Sequence, residues 1–238
     1  MRICFSFARK MALSYLSHLD MLRLFLRALG RSGMPLAYSL GYNPHPRFTL
    51  ALPLPLGVTA SEEFGEILFT EEIAPDRFIS LLQAQLPEAL VLTGVTAVDM
   101  HKPSIASLVG AALYRAVPRG DCLNGIDPAT LQGALDSLME KEEILARRKT
   151  KKNKFVYTDV RPYILDLETG KNEDGSLTLK LLLQAGSQGG VPPAYVIEQL
   201  KQETGFGSFH AFDWQIHRER LFMKEDGVLQ PLSERMGC

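Results

Sequence analysis

The chain has no apolar run approaching the roughly 20 residues that a membrane helix needs. Its N-terminus turns basic at Arg9 and Lys10 after a short apolar stretch, which is not the pattern of a signal peptide. It reads as a cytoplasmic protein with no membrane association. Cysteine is scarce: Cys4, Cys122 and Cys238 are the 3 in 238 residues. An odd, scattered set makes neither a disulfide framework nor the clustered ligands of a zinc or iron–sulfur site. No Ser-His-Asp order, HExxH, kinase signature or P-loop occurs. No metal and no cofactor is expected of the chain alone.

What is present is a globular composition, 46% hydrophobic and 22% charged, able to bury a sizeable core. Net charge is −1, yet the charges are unevenly placed. Residues 1–60 hold Arg2, Arg9, Lys10, Arg23, Arg27, Arg31 and Arg47 against Asp20 alone, and residues 61–100 hold eight acids against Arg77 alone. Such polarity suits an anionic partner.

The hydrophobic periodicities predict a strand over 2–8, a helix over 17–32 and a proline- and glycine-rich loop over 35–60 with one short strand near 47–52. A strand over 63–70, a helix from Pro75-Asp76 to about Leu86 and a strand over 89–98 follow. Beyond a linker at 99–108 come a strand over 110–117, a helix from Asp127-Pro128 to near Lys141 and paired strands over 142–149 and 154–167. A strand over 176–185, a helix opened by Pro192-Pro193 and a last strand over 209–220 complete the chain. Each half reads β-α-β-β-α-β, the second with one strand extended or duplicated. The expected fold is α+β, two tandem ferredoxin-like (βαββαβ) domains at 1–100 and 109–238, with a single α+β domain on one larger sheet as the alternative.

Four groups of residues can carry chemistry. Ser17-His18-Leu19-Asp20 opens the first helix as a capping-box-like signature. His18 is either a packing histidine at the edge of the apolar face or, near a helix N-terminus, a neutral base or ligand. Asp20, Arg23, Arg27 and Arg31 form the opposite stripe; Asp20 accounts for Arg23, leaving Arg27 and Arg31 to water or to an anion. In Tyr42-Asn43-Pro44-His45-Pro46-Arg47, two prolines stiffen a loop that presents His45 and Arg47. Arg147, Arg148, Lys149, Lys151, Lys152 and Lys154 place six cations in eight residues at a hairpin tip, with Phe155 and Tyr157 alternating behind them. Cations beside aromatic rings suit phosphate contact with base stacking, although such a run is also what a solvated tip looks like.

Tyr15-Leu16-Ser17-His18-Leu19-Asp20, Pro35-Leu36-Ala37-Tyr38-Ser39, Gly41-Tyr42-Asn43-Pro44-His45-Pro46-Arg47 and Leu52-Pro53-Leu54-Pro55-Leu56-Gly57-Val58, in this order, resemble the bacterial radical-SAM-associated domain of unknown function. The resemblance covers about residues 1–100 and implies a radical SAM protein as partner. It carries over no catalytic residue. A weaker, architectural similarity links tandem ferredoxin-like domains with a glycine-rich loop, here Gly205-Phe206-Gly207, to the RNA-processing endonucleases of CRISPR systems. The function expected is a non-catalytic RNA-binding or adaptor protein acting with a radical SAM partner in tRNA or rRNA modification or processing, with Arg23, Arg27, Arg31, His45 and Arg47 expected to contact RNA along with Arg147, Arg148, Lys149, Lys151, Lys152, Lys154, Phe155 and Tyr157. The alternatives are a metal-independent ribonuclease using His18 or His45, and a protein-only scaffold.

Overall fold

The structure, a computed structural model, describes residues 1–120, 123, 126–149, 155–172, 175–204 and 210–236, with backbone alone at 148, 149, 235 and 236. It is mixed α+β, with a large, mostly antiparallel sheet, a separate two-stranded sheet, and helices. The chain divides into two compact units, one of Met1–Gly110 with Arg218–Cys238 and one of Ala111–His217.

The first unit begins with β1 (Arg2–Arg9), α1 (His18–Arg31), β2 (Phe48–Leu50), β3 (Thr59–Leu68), α2 (Pro75–Gln83) and β4 (Leu90–Val98). This is the β-α-β-β-α-β order read from the sequence. β1 pairs antiparallel with both β3 and β4, giving the order β4-β1-β3, and β2 pairs antiparallel with β3 off the main path of the sheet. α1 starts where expected because the Ser17 hydroxyl oxygen accepts from the Asp20 N–H at 3.2 Å, while the Asp20 carboxylate accepts from the Ser17 hydroxyl at 2.6 Å. It ends at Ser32, followed by Gly33 with φ of +67°, a left-handed position that favours glycine. Its buried face is Met21, Phe25, Ala28 and Leu29. That face meets a cluster of rings from the sheet and α2: Phe7 and Phe25 lie edge to face at 4.9 Å, and Phe5 and Phe78 are tilted at 5.4 Å.

The expected linker contains a short helix, α3 (Ile105–Leu108). The second unit then holds β5 (Val109–Pro118, from Ala111), α4 (Pro128–Glu140), β6 (Leu145–Lys149), β7 (Phe155–Asp159), β8 (Ile164–Lys171), β9 (Leu177–Gln184) and α5 (Pro193–Thr204). The order β5-β9-β8 is antiparallel throughout, and β6-β7 forms the two-stranded sheet. The strand expected over 154–167 is broken in two. Asp159 turns its carboxylate back to accept from the Ile144 and Arg161 N–H groups at 2.9 and 3.0 Å, and Pro162 sits in a tight turn that cannot continue a ladder. The last strand, β10 (Trp214–Glu225), starts later than expected, after a turn at Ala211–Asp213, and runs from the second unit into the first. β11 (Val228–Pro231) and α6 (Leu232–Met236) follow, neither of them foreseen.

Candidate functional site

The motif Leu52-Pro53-Leu54-Pro55-Leu56-Gly57-Val58 is short of backbone donors because its prolines have none, so its carbonyls need partners from elsewhere. Two buried arginines supply them. Arg9, 2% exposed, donates to the carbonyls of Pro55 at 3.0 Å, Leu16 at 3.3 Å, Ser14 at 3.4 Å and also Val58. Arg218, fully buried, donates to the carbonyls of Leu52 at 3.2 Å and Pro53 at 3.4 Å. Its other donors make a two-pronged ion pair with buried Glu63, one prong at 2.6 Å. Burial pulls the Arg9 guanidinium down to about 10; the nearby Glu63 charge opposes that pull and Arg218 adds to it. The loop is thereby fixed beside the start of α1, and Gly57 donates to the Ser14 carbonyl at 2.8 Å.

His18 lies where these parts meet, half-buried on a pocket of about 20 Å³ with Phe7, Met21, Leu50, Leu54 and Glu63. That is room for about one water. Burial lowers the imidazole's affinity for a proton and so favours its neutral form. Arg2 and Arg9 belong to the buried interior, Arg2 through Glu66 at 3.7 Å and the carbonyls of Asp99 and Lys102, so two cations of the basic N-terminal region do not face solvent.

His45 is exposed, and its role is visible in the loop itself. Its Nδ1 is 3.0 Å from the Ser39 hydroxyl, and its backbone N–H donates to the same oxygen at 3.1 Å. With Tyr38 bridged to Pro46, the loop closes on itself and holds Leu40 and Tyr42 fully exposed at its tip. The sequence reading singled out His45 and passed over these two. Arg47 is exposed as well. Among the described residues no hydrogen bond or ion pair joins His18 to His45, or either His45 or Arg47 to the arginine stripe.

The stripe lies along an open groove of about 450 Å³ between α1 and the turn at Gln85 and Pro87. Arg23 pairs with Asp20 at 3.3 Å, and Arg31 donates to the Gln85 side chain at 3.1 Å and its carbonyl at 2.9 Å. Arg27 is exposed and has no hydrogen bond or ion pair among the described residues.

In the second unit, the β6-β7 register sets Arg147 opposite Tyr157, with Phe155 two residues before Tyr157, so these three residues belong to one face. The Arg147 guanidinium lies 3.6 Å over the Phe155 ring. Phe155 is 52% and Tyr157 66% exposed. The hairpin base is fixed: Arg161 donates to the Met139 carbonyl at 3.2 Å, near the end of α4, and to the Ile164 carbonyl at 2.9 Å. The side chains of Arg148 and Lys149, all of Lys151, Lys152 and Lys154, the Gly205-Phe206-Gly207 loop, Cys122 and Cys238 lie outside the described residues. Among the described residues no three His, Cys, Asp or Glu side chains group as metal ligands, and no helix is long and apolar enough to cross a membrane.

Among solved structures the chain is similar to "Crystal structure of putative glycine cleavage system transcriptional repressor", at 10% identity over 90% of this chain and 94% of that one with a TM-score of 0.22, an overlay too loose to carry an argument. No curated protein matches. Residues 2–193 match the family model described as "Uncharacterized protein conserved in bacteria (DUF2344)", and over that span, most of its length, the protein belongs to this bacterial family.

Proposed function

We propose that this chain is a non-catalytic RNA-binding adaptor that acts in the cytoplasm with a radical SAM partner, and that single-stranded RNA contacts it through the β6-β7 hairpin. The observation that carries the reading is the face formed by Arg147, Phe155 and Tyr157: two exposed rings on a fixed base, one already covered by a guanidinium. Exposed aromatic side chains on a strand are unfavourable in water unless something covers them, and bases stack on such rings with little regard to sequence. The run of cations from Arg147 to Lys154, which adjoins Phe155 in sequence, supplies phosphate contacts. The radical SAM partner rests on the motif resemblance of residues 1–100. Within the mixed α+β fold, we read the β-α-β-β-α-β element order of the first unit, with β1 between β4 and β3 and β2 paired to β3, as a ferredoxin-like half and the second unit as its modified copy.

The ribonuclease alternative requires an acid and a base at one substrate atom. His45 is engaged in closing its own loop and His18 lines a pocket the size of a water, which favours the non-catalytic reading. The test is fluorescence anisotropy of a labelled single-stranded oligouridine with the wild-type chain and with Phe155→Ala and Tyr157→Ala. Each substitution should weaken binding by about 1–3 kcal/mol, the range for loss of one stacked base. Binding by both variants as tight as wild type would overturn the assignment of this face.

A further inference from the structure

We propose that the arginine-lined groove of the first unit is a docking site for an acidic amphipathic helix of a protein partner. This site is separate from the hairpin, and its ligand is a different class of molecule.

The groove has a repeat. Arg23, Arg27 and Arg31 stand four residues apart on α1, and at about 1.5 Å rise per residue they advance about 6 Å from one to the next. Carboxylates four residues apart on a partner helix advance by the same roughly 6 Å, so a helix laid along α1 meets the row in register.

The groove's charges are partly matched already, and the unmatched ones say what is missing. Asp20 takes up Arg23. Gln85 holds the Arg31 guanidinium in place without neutralising it. Arg27, one turn earlier, has no such partner among the described residues. Two adjacent cations, one of them preset, therefore await anions. The Asp20 carboxylate at the other end repels a continuous polyanion but tolerates a peptide whose charges can be chosen position by position.

The walls decide between a peptide and RNA. Leu16, Leu24 and Pro87 line the groove with aliphatic surface, and among the described residues no aromatic side chain lines it. Base stacking has no platform there. Aliphatic walls flanked by arginines suit the leucine-type anchors and acidic flank of an amphipathic helix, the helix-in-groove mode of recognition.

The test uses the full chain and a labelled synthetic helix with leucines on one face and glutamates four residues apart beside them, compared with the same peptide carrying lysine for glutamate. Wild type should bind the acidic peptide and not the basic one. Arg27→Gln with Arg31→Gln should weaken that binding about fivefold, as expected for two exposed ion pairs, and leave oligouridine binding unchanged. Phe155→Ala should leave peptide binding unchanged, so failure of this proposal is distinguishable from failure of the RNA reading. Absence of acidic-peptide binding by wild type, an undiminished affinity in the double variant, or loss of RNA binding in that variant instead would each overturn the docking site.

Discussion

Glu63 faces two guanidinium groups that have little water to hold them. Arg218 depends on it directly, and the Arg9 guanidinium is favoured by its charge. Truncating one partner of such a pair leaves a buried charge uncompensated. Glu63→Ala should therefore cost about 3–5 kcal/mol in a denaturant titration, and should also loosen the loop of residues 52–58 that Arg218 caps. His18 gives a second residue-scale expectation. Its folded-state proton affinity lies below the ordinary value of 6.5 because it is half-buried. As pH falls, the unfolded chain takes up the proton first, so stability tied to neutral His18 is present above about 6.5 and is lost as pH falls below it. Unfolding midpoints at about pH 7.5 and about pH 5.5 should differ less in His18→Gln than in wild type. At this scale the sequence was legible where partners are local. Ser17 with Asp20 and Asp20 with Arg23 were read correctly as cap and ion pair, being three residues apart. Arg218 and Glu63 were not, because 155 residues separate them and only the folded chain brings them together.

β1 and β3 meet closely at one position that leaves no room for a side chain. Gly65 lies opposite Phe5, and a methyl group there would approach the Phe5 ring to 2.5 Å. Gly65→Ala should force that ring, central to the aromatic cluster, from its place at a cost of about 1–3 kcal/mol, measured as a shift of the urea midpoint. α1 and α4 were legible because their N-caps, Ser17 and Asp127, are written directly before them. The break between β7 and β8 was harder to see. Residues 154–167 look apolar enough to be one strand, and the turn at Arg161–Tyr163 is imposed by the carboxylate of Asp159 reaching back to Ile144, a contact that needs the hairpin already formed. The same hairpin then stands as its own two-stranded sheet, which leaves the Phe155 and Tyr157 rings exposed.

For the whole molecule, the sequence read correctly as a mixed α+β chain, with β-α-β-β-α-β order over the first hundred residues. The C-terminal elements β11 and α6 went unseen; they are short, and the residues of Arg218–Cys238 belong with the first unit rather than with their chain neighbours. The central functional claim is that the chain holds single-stranded RNA by its cationic, aromatic hairpin, and the salt dependence of that binding tests it most directly. Each phosphate neutralised on a single strand contributes roughly −0.7 to the slope of log affinity against log salt. With about four of the run's cations engaged, the wild-type slope should be near −3. Replacing Arg148, Lys151, Lys152 and Lys154 with serine should flatten most of it while costing under about 0.5 kcal/mol in stability per substitution. An unchanged slope in that variant, or no RNA binding by the wild-type chain, would contradict the account and leave the protein a scaffold for other proteins.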